Sequence, residues 1–172
     1  MQTFTFAIAA LAAIVVNKCS YPVYLWAVSA SSSSDMQTID AANSYSAAYE
    51  TVASGGVSVK ISKSESQETI TQYEYTLEPG TVWYDLSNIN GYPFSSEGMD
   101  LAVADSACPQ VNCPAGVEIC NSVYNTPTEN EASKSCGSSV NATLTLCSGG
   151  SDSKKLKRHG HGLRHGIRPA TY

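Results

Sequence analysis

Arginine is absent from residues 1–150 of this 172-residue chain; Arg158, Arg164 and Arg168 all fall within residues 151–172. Lysine is nearly as scarce in that body, with four residues against 14 Asp and Glu, a net charge of −10. Phosphate binding depends on clustered basic groups, so nucleic acid is excluded as the ligand of such a body. Also missing is an apolar run long enough to span a bilayer. The longest, FTFAIAALAAIVV at 4–16, is well short of the roughly 20 residues that a spanning helix needs. The cysteines form no C-x-x-C pair and have no histidine beside them, which speaks against zinc. There is no internal repeat and no sustained heptad pattern, and nothing in the sequence calls for a cofactor.

What is present points to one folded, exported domain. A content of 42% hydrophobic and 15% charged residues is that of a globular chain, not a disordered one. The 4–16 run reads as the core of a signal peptide over residues 1–12. Ala10-Leu11-Ala12 offers a cleavage site that starts the mature chain near Ala13, and Ala7-Ile8-Ala9 offers another; no Lys or Arg precedes Lys18. Six cysteines behind such a segment imply an oxidising compartment and disulfides, with 15 pairings formally open.

Residues 14–28, IVVNKCSYPVYLWAV, are rich in β-branched and aromatic residues and apolar on both faces, and read as a strand inside a sandwich. Strand-like segments recur at 57–62, 69–77, 81–87, 99–104 and 141–147, separated by Gly, Pro, Asn and Ser. This pattern predicts an all-β sandwich or barrel. Only residues 115–125, AGVEICNSVYN, have room for a short helix. SASSSSD at 29–35 reads as a solvated connector whose serines are open to O-glycosylation, and Asn141-Ala142-Thr143 is an acceptor sequon for N-glycosylation.

Glu78-Pro79-Gly80-Thr81 carries turn residues between two runs of period-two character, and predicts a hairpin. With a two-residue loop, Tyr75 faces Tyr84 and Tyr73 faces Leu86 on one side. On the other side Thr76 pairs with Trp83 and Glu74 with Asp85. Directly opposed like charges are destabilising and titrate as a coupled unit unless a cation or ligand hydroxyls sit between them. Pro-Gly favours a type II turn, so a longer loop and a slipped register stay open, as does an acid pair simply lying in water. Trp83 is a stacking platform for a ligand beside the acids, or it is buried under a second sheet or a loop.

Taken together, VVNKCSYPVYLWAV, QYEYTL, WYDLSNINGYPF, CPQVNCPAG, CNSVYNTPTENEASKSC and the terminal TLTLC resemble, in order and spacing, the yeast-phase-specific (Bys) secreted proteins of fungi. Those are a small form of the thaumatin-like fold, and the likeness covers about residues 14–148. The resemblance implies a thaumatin-like antiparallel β-sandwich, a flattened barrel with three disulfides and little helix. It implies the pairs Cys19–Cys147, Cys108–Cys136 and Cys113–Cys120. Larger thaumatin-like proteins have an acidic cleft of one Arg, one Glu and three Asp that is associated with β-glucan. Glu74 matches that Glu and Asp85 one Asp, while Asn90 stands where another Asp is expected and the body has no Arg. With two of the five cleft residues left, the resemblance implies binding in preference to hydrolysis.

Residues 151–172 carry a net charge of +5 and read as a disordered basic tail, so the folded domain is expected over 13–150. Lys157-Arg158 reads as a candidate dibasic processing site. Cleavage there would expose His159-Gly160-His161, in which His161 is third from a free amine, a set of nitrogens suited to Cu(II) or Ni(II). The sequence thus predicts a secreted, monomeric, non-enzymatic protein, extracellular or in the cell wall. Its expected partner is a cell-wall polysaccharide, β-glucan first, or a host protein. A weak β-glucan hydrolase and a carrier for a processed tail peptide are the alternatives.

Overall fold

Alternation of apolar and polar residues builds two facing sheets. The computed structural model describes residues 11–149. The expected processing pair Lys157 and Arg158, the metal candidates His159 and His161, and most of the signal segment lie outside the described residues. Among the described residues there are eleven strands: β1 (Ala12–Asn17), β2 (Val23–Ser29), β3 (Gln37–Ile39), β4 (Ser44–Ala48), β5 (Val57–Ser62), β6 (Thr71–Glu78), β7 (Thr81–Ser87), β8 (Met99–Val103), β9 (Val111–Cys113), β10 (Lys134–Gly137) and β11 (Ala142–Leu146). They form a five-stranded sheet in the order β4-β1-β11-β8-β9 and a six-stranded sheet in the order β10-β7-β6-β5-β2-β3. Pairing is antiparallel except between β1 and β11, which run parallel. The core lies between the sheets. Val15, Leu101, Leu144 and Leu146 come from one side, and Leu25, Ile61, Tyr73, Tyr84 and Leu86 from the other, all fully buried.

The run at 14–28 is not one strand. It divides into β1 and β2, which belong to different sheets. Asn17, fully buried, causes the break. Its Nδ2 donates to Tyr21 O at 2.9 Å, Ile39 O at 2.9 Å and Asp40 O at 3.2 Å, and its Oδ1 accepts the Cys19 N–H at 2.9 Å. One amide side chain thus satisfies the backbone groups that a change of sheet would leave orphaned. The expected signal-peptide junction falls at the first residue of β1. Ala12 N donates to Asn141 Oδ1 at 2.8 Å, and Leu11 O accepts from Tyr49 N at 3.0 Å.

Residues 115–125 form turns instead of a short helix, and no helix occurs among the described residues. Asn125 Nδ2 donates to Cys120 O at 2.9 Å and to Val123 O at 3.0 Å, taking carbonyls that a helix would have used. Tyr124 makes a parallel bridge to Ser87, which lays the segment along the end of β7.

Cys19–Cys147 closes a separation of 128 residues, Cys108–Cys136 one of 28 and Cys113–Cys120 one of 7. In the chain-entropy account these stabilise by about 5, 3.5 and 2.5 kcal/mol respectively. The second ties the loop after β8 to β10 and so links the two sheets. Asn17→Ala is expected to cost about 3 kcal/mol, since the Cys19 N–H loses its partner and three carbonyls lose a donor at a buried site, of which Asp40 O keeps the backbone donor Asn43 N. Urea unfolding measures this; a change below about 1 kcal/mol would show that water replaces the amide.

Candidate functional site

Pro79 and Gly80 connect β6 to β7 in a two-residue loop, with Gly80 at φ +82°, the left-handed value a type II turn needs at its third position. Glu78 faces Thr81 and the register runs without a slip to Gln72 facing Ser87. Tyr73, Tyr75, Val82, Tyr84 and Leu86 enter the core. The outer side of the same strands carries Gln72, Glu74, Thr76, Trp83, Asp85 and Ser87.

On that outer side, one row runs straight across the sheet. Val28 of β2 faces Ser58 of β5, Ser58 faces Glu74, and Glu74 faces Asp85. Because Lys134 of β10 pairs with Tyr84, the preceding Ser133 continues the row, and its Oγ donates to Asp85 Oδ2 at 3.0 Å. Asp85 does not lie in water: it is only 9% exposed. Its second oxygen, Oδ1, is buried and meets no N–H or hydroxyl donor among the described residues.

Trp83 is on the same side and is 42% exposed, so it lies neither in a second sheet nor under a loop. Its Nε1 donates to Glu78 Oε2 at 3.1 Å, which fixes the indole beside the acids. Trp83, Glu74, Asp85, Ser58, Ser133 and Gly56 share a concavity of about 300 Å³. Gly56 makes the floor possible. A Cβ there would stand 2.4 Å from Tyr75 O and 2.5 Å from Thr76 Oγ1, so a side chain at this position would force β6 away.

Burial, and then the charge of Glu74, push the Asp85 carboxyl up to about 7, against the smaller opposing effects of the Ser133 hydroxyl and Lys134. Burial raises Glu74 as well, offset by a hydrogen bond from Asp85, by the Ser58 hydroxyl and by the charge of Lys60. Both carboxyls are thus raised, and two opposed acids of this kind titrate as one unit that holds its first proton more tightly than a free carboxyl does. A proton held by the pair supplies the donor that Oδ1 otherwise lacks.

The remaining candidates are elsewhere. Asn141 precedes β11, half-buried, with its Oδ1 engaged by Ala12 N. Asn90, beyond the end of β7, accepts from Gln72 Nε2 at 3.3 Å near the start of β6 and away from the concavity. Asp105 lies near Cys108 and Cys136, but those sulfurs are joined in a disulfide and offer no thiolate to a metal. Sequence reasoning missed Ser133, Ser58 and Gly56. Ser58 follows once β5 is placed beside β6. Ser133 sits in an irregular acidic stretch and gives no local signal, since its position depends on the four-residue β10.

Protonation of Asp85 links stability to pH. The folded chain holds this proton up to about pH 7, whereas the unfolded aspartate releases it near its ordinary 3.8. The folded state therefore binds more protons between those values, and this contribution falls as pH rises through the window. Asp85→Asn is expected to remove about 2–4 kcal/mol of that decline, measured as the difference in urea midpoint between parent and variant from pH ~4 to ~7. A constant difference across the window would show that the pair shares no proton.

Comparison with known proteins gives the same architecture. The protein elicitor MoHrip2 from Magnaporthe oryzae superposes with a TM-score of 0.69 at 25% identity, covering 80% of this chain and 99% of its own. The thaumatin-like xylanase inhibitor TLXI superposes with a TM-score of 0.53 at 13% identity, over 81% of this chain and 99% of its own, and shares the fold. An antigenic thaumatin-like protein of Arthroderma benhamiae is 37% identical over 79% of this chain and 70% of its own length. A secreted thaumatin-like protein, calA of Emericella nidulans, is 35% identical over 77% of this chain and 78% of its own. The family model described as Blastomyces yeast-phase-specific protein, Bys1, matches residues 1–148, and a match of that extent on a thaumatin-like β-sandwich makes this chain a member of the Bys1 family.

Proposed function

We propose that the concavity on the outer face of the six-stranded sheet binds a polysaccharide of the cell wall, and that the protein works outside the cell by binding rather than by catalysis. One observation carries this reading: an exposed indole stands beside two directly opposed carboxyls in one concave site that Gly56 also lines. Aromatic faces stack on the apolar faces of sugar rings, and paired carboxyls accept from vicinal hydroxyls. Names of relatives, one antigenic, one secreted and one an elicitor, support an outward-facing protein.

A hydrolase reading draws on the raised Asp85, since a protonated carboxyl opposite an ionised one is the pairing a glycosidase uses. Direct opposition of the two acids on neighbouring strands, which sets their Cβ atoms about 5 Å apart, favours binding instead. A retaining glycosidase holds its carboxyls about 5–5.5 Å apart and an inverting one further, so that the anomeric carbon fits between them.

Retention on insoluble wall polysaccharide, with β-glucan as the first matrix, tests the reading. The parent is expected to be retained, Trp83→Ala to lose about 90% of that retention, and Glu74→Gln and Asp85→Asn to weaken it. No release of reducing sugar is expected from any of them. Failure of the parent to bind any wall fraction, or equal binding by all three variants, overturns the proposal; sugar release abolished in Asp85→Asn would establish the hydrolase.

A further inference from the structure

The concavity holds one requirement that no protein donor meets, and its chemistry selects a ligand class. Asp85 Oδ1 is buried without a protein donor, and Glu74 stands directly across the strand pair. The pair of acids can meet it by itself only by retaining a proton. A ligand can meet it by bringing a donor, and a donor that carries a positive charge takes the proton's place outright. The charge balance is simple. With a shared proton the pair has a net charge of −1; an ammonium seated between two carboxylates leaves the same −1, and the displaced proton goes to solvent.

The surroundings favour that exchange. From β6 comes Glu74, and beyond it Glu78, held on the Trp83 indole at 3.1 Å. From β5 come Ser58 and Lys60, and from β2 the uncharged Val28 and Ser29. From the β10 side come Ser133, bonded to Asp85, and Lys134, whose Nζ donates to Glu131 O at 3.4 Å. Three acids thus face Lys60 and an already engaged Lys134. No arginine exists in residues 1–150 to balance the acids, and the body as a whole carries −10. The indole beside them offers its face to a pyranose ring and its π-cloud to a cation.

We propose that the saccharide this site takes is an amino sugar polymer, a β-linked glucosamine chain of the deacetylated-chitin type, with one ammonium seated between Glu74 and Asp85 and a sugar ring against Trp83. This rests on the carbohydrate reading above and narrows it to a cationic class. A neutral glucan lies on the same indole but leaves the shared proton in place, and an N-acetylated chain has no charge to exchange for it.

Calorimetric titration of the full chain tests the proposal, using hexamers of glucosamine, of N-acetylglucosamine and of β-1,3-linked glucose at a mildly acidic pH. The glucosamine hexamer is expected to bind at least about tenfold more tightly than either neutral hexamer. Its apparent heat should depend on the buffer's ionisation enthalpy in the manner of one proton released. Asp85→Asn should bring the preference for the charged hexamer close to one and abolish the proton release, and Glu74→Gln should reduce both. Neutral hexamers binding as tightly as the charged one would overturn the amino-sugar proposal and leave the carbohydrate reading standing. Binding of none of the three would overturn both. A preference for the charged hexamer that persists in both variants would assign it to the acidic surface at large and overturn the proposed seat.

Discussion

The parallel ladder between β1 and β11 is the constraint on which the rest of this fold depends. The five-stranded sheet is made of two halves from opposite ends of the chain: β4 and β1 on one side, β11, β8 and β9 on the other. Only the register from Ala13 opposite Ala142 to Asn17 opposite Leu146 joins them. The Cys19–Cys147 bridge fixes that seam at the end where both strands finish. Tyr21 braces the same corner: its hydroxyl donates to Glu97 Oε1 at 2.9 Å, which also takes Lys63 Nζ at 2.7 Å, while Lys63 lies over the Tyr21 and Phe94 rings. The six-stranded sheet comes almost wholly from the middle of the chain and has its core only because this seam holds the opposite wall in place.

A rigid six-stranded sheet explains why an unfavourable pair of acids is tolerated. Glu74 and Asp85 are opposed by a register that every core side chain on the strands enforces, because a slip of one residue would send Tyr73, Tyr75, Tyr84 and Leu86 outward. The core contacts outweigh the local repulsion, and the repulsion is reduced by retaining a proton. Strain of this kind cannot relax by local movement. It is held ready for whatever enters the concavity.

Much of this was legible in the chain. β5 and β7 occupy the same residues as the strands expected there, and β6, β8 and β11 differ at their ends by two residues or fewer, because each alternates strongly between apolar and polar positions. The acid pair followed from the Pro-Gly turn and period two alone. The split at Asn17 did not, because an apolar run on both faces looks the same whether it continues through one sheet or crosses to another. β3, β4, β9 and β10 are three to five residues long and carry too few alternations to stand out. Spacing left 15 cysteine pairings open, and the family pattern, not local physics, chose among them. Burial of Asp85 was beyond local reading, since it depends on Ser133, 48 residues away and just before β10.

The β1–β11 seam also sets a timetable. Hairpins such as β6–β7 close over a few residues and can form as soon as they emerge, but β1 has to wait for β11 to be made before gaining its parallel neighbour. Until then the Ala-Ile-Val-Val stretch of β1 keeps one unpaired edge, apolar and open to pairing with another chain. Export before folding, with the chain held extended and oxidised only on arrival, removes that interval, so the topology favours a protein that acquires its shape on the far side of a membrane.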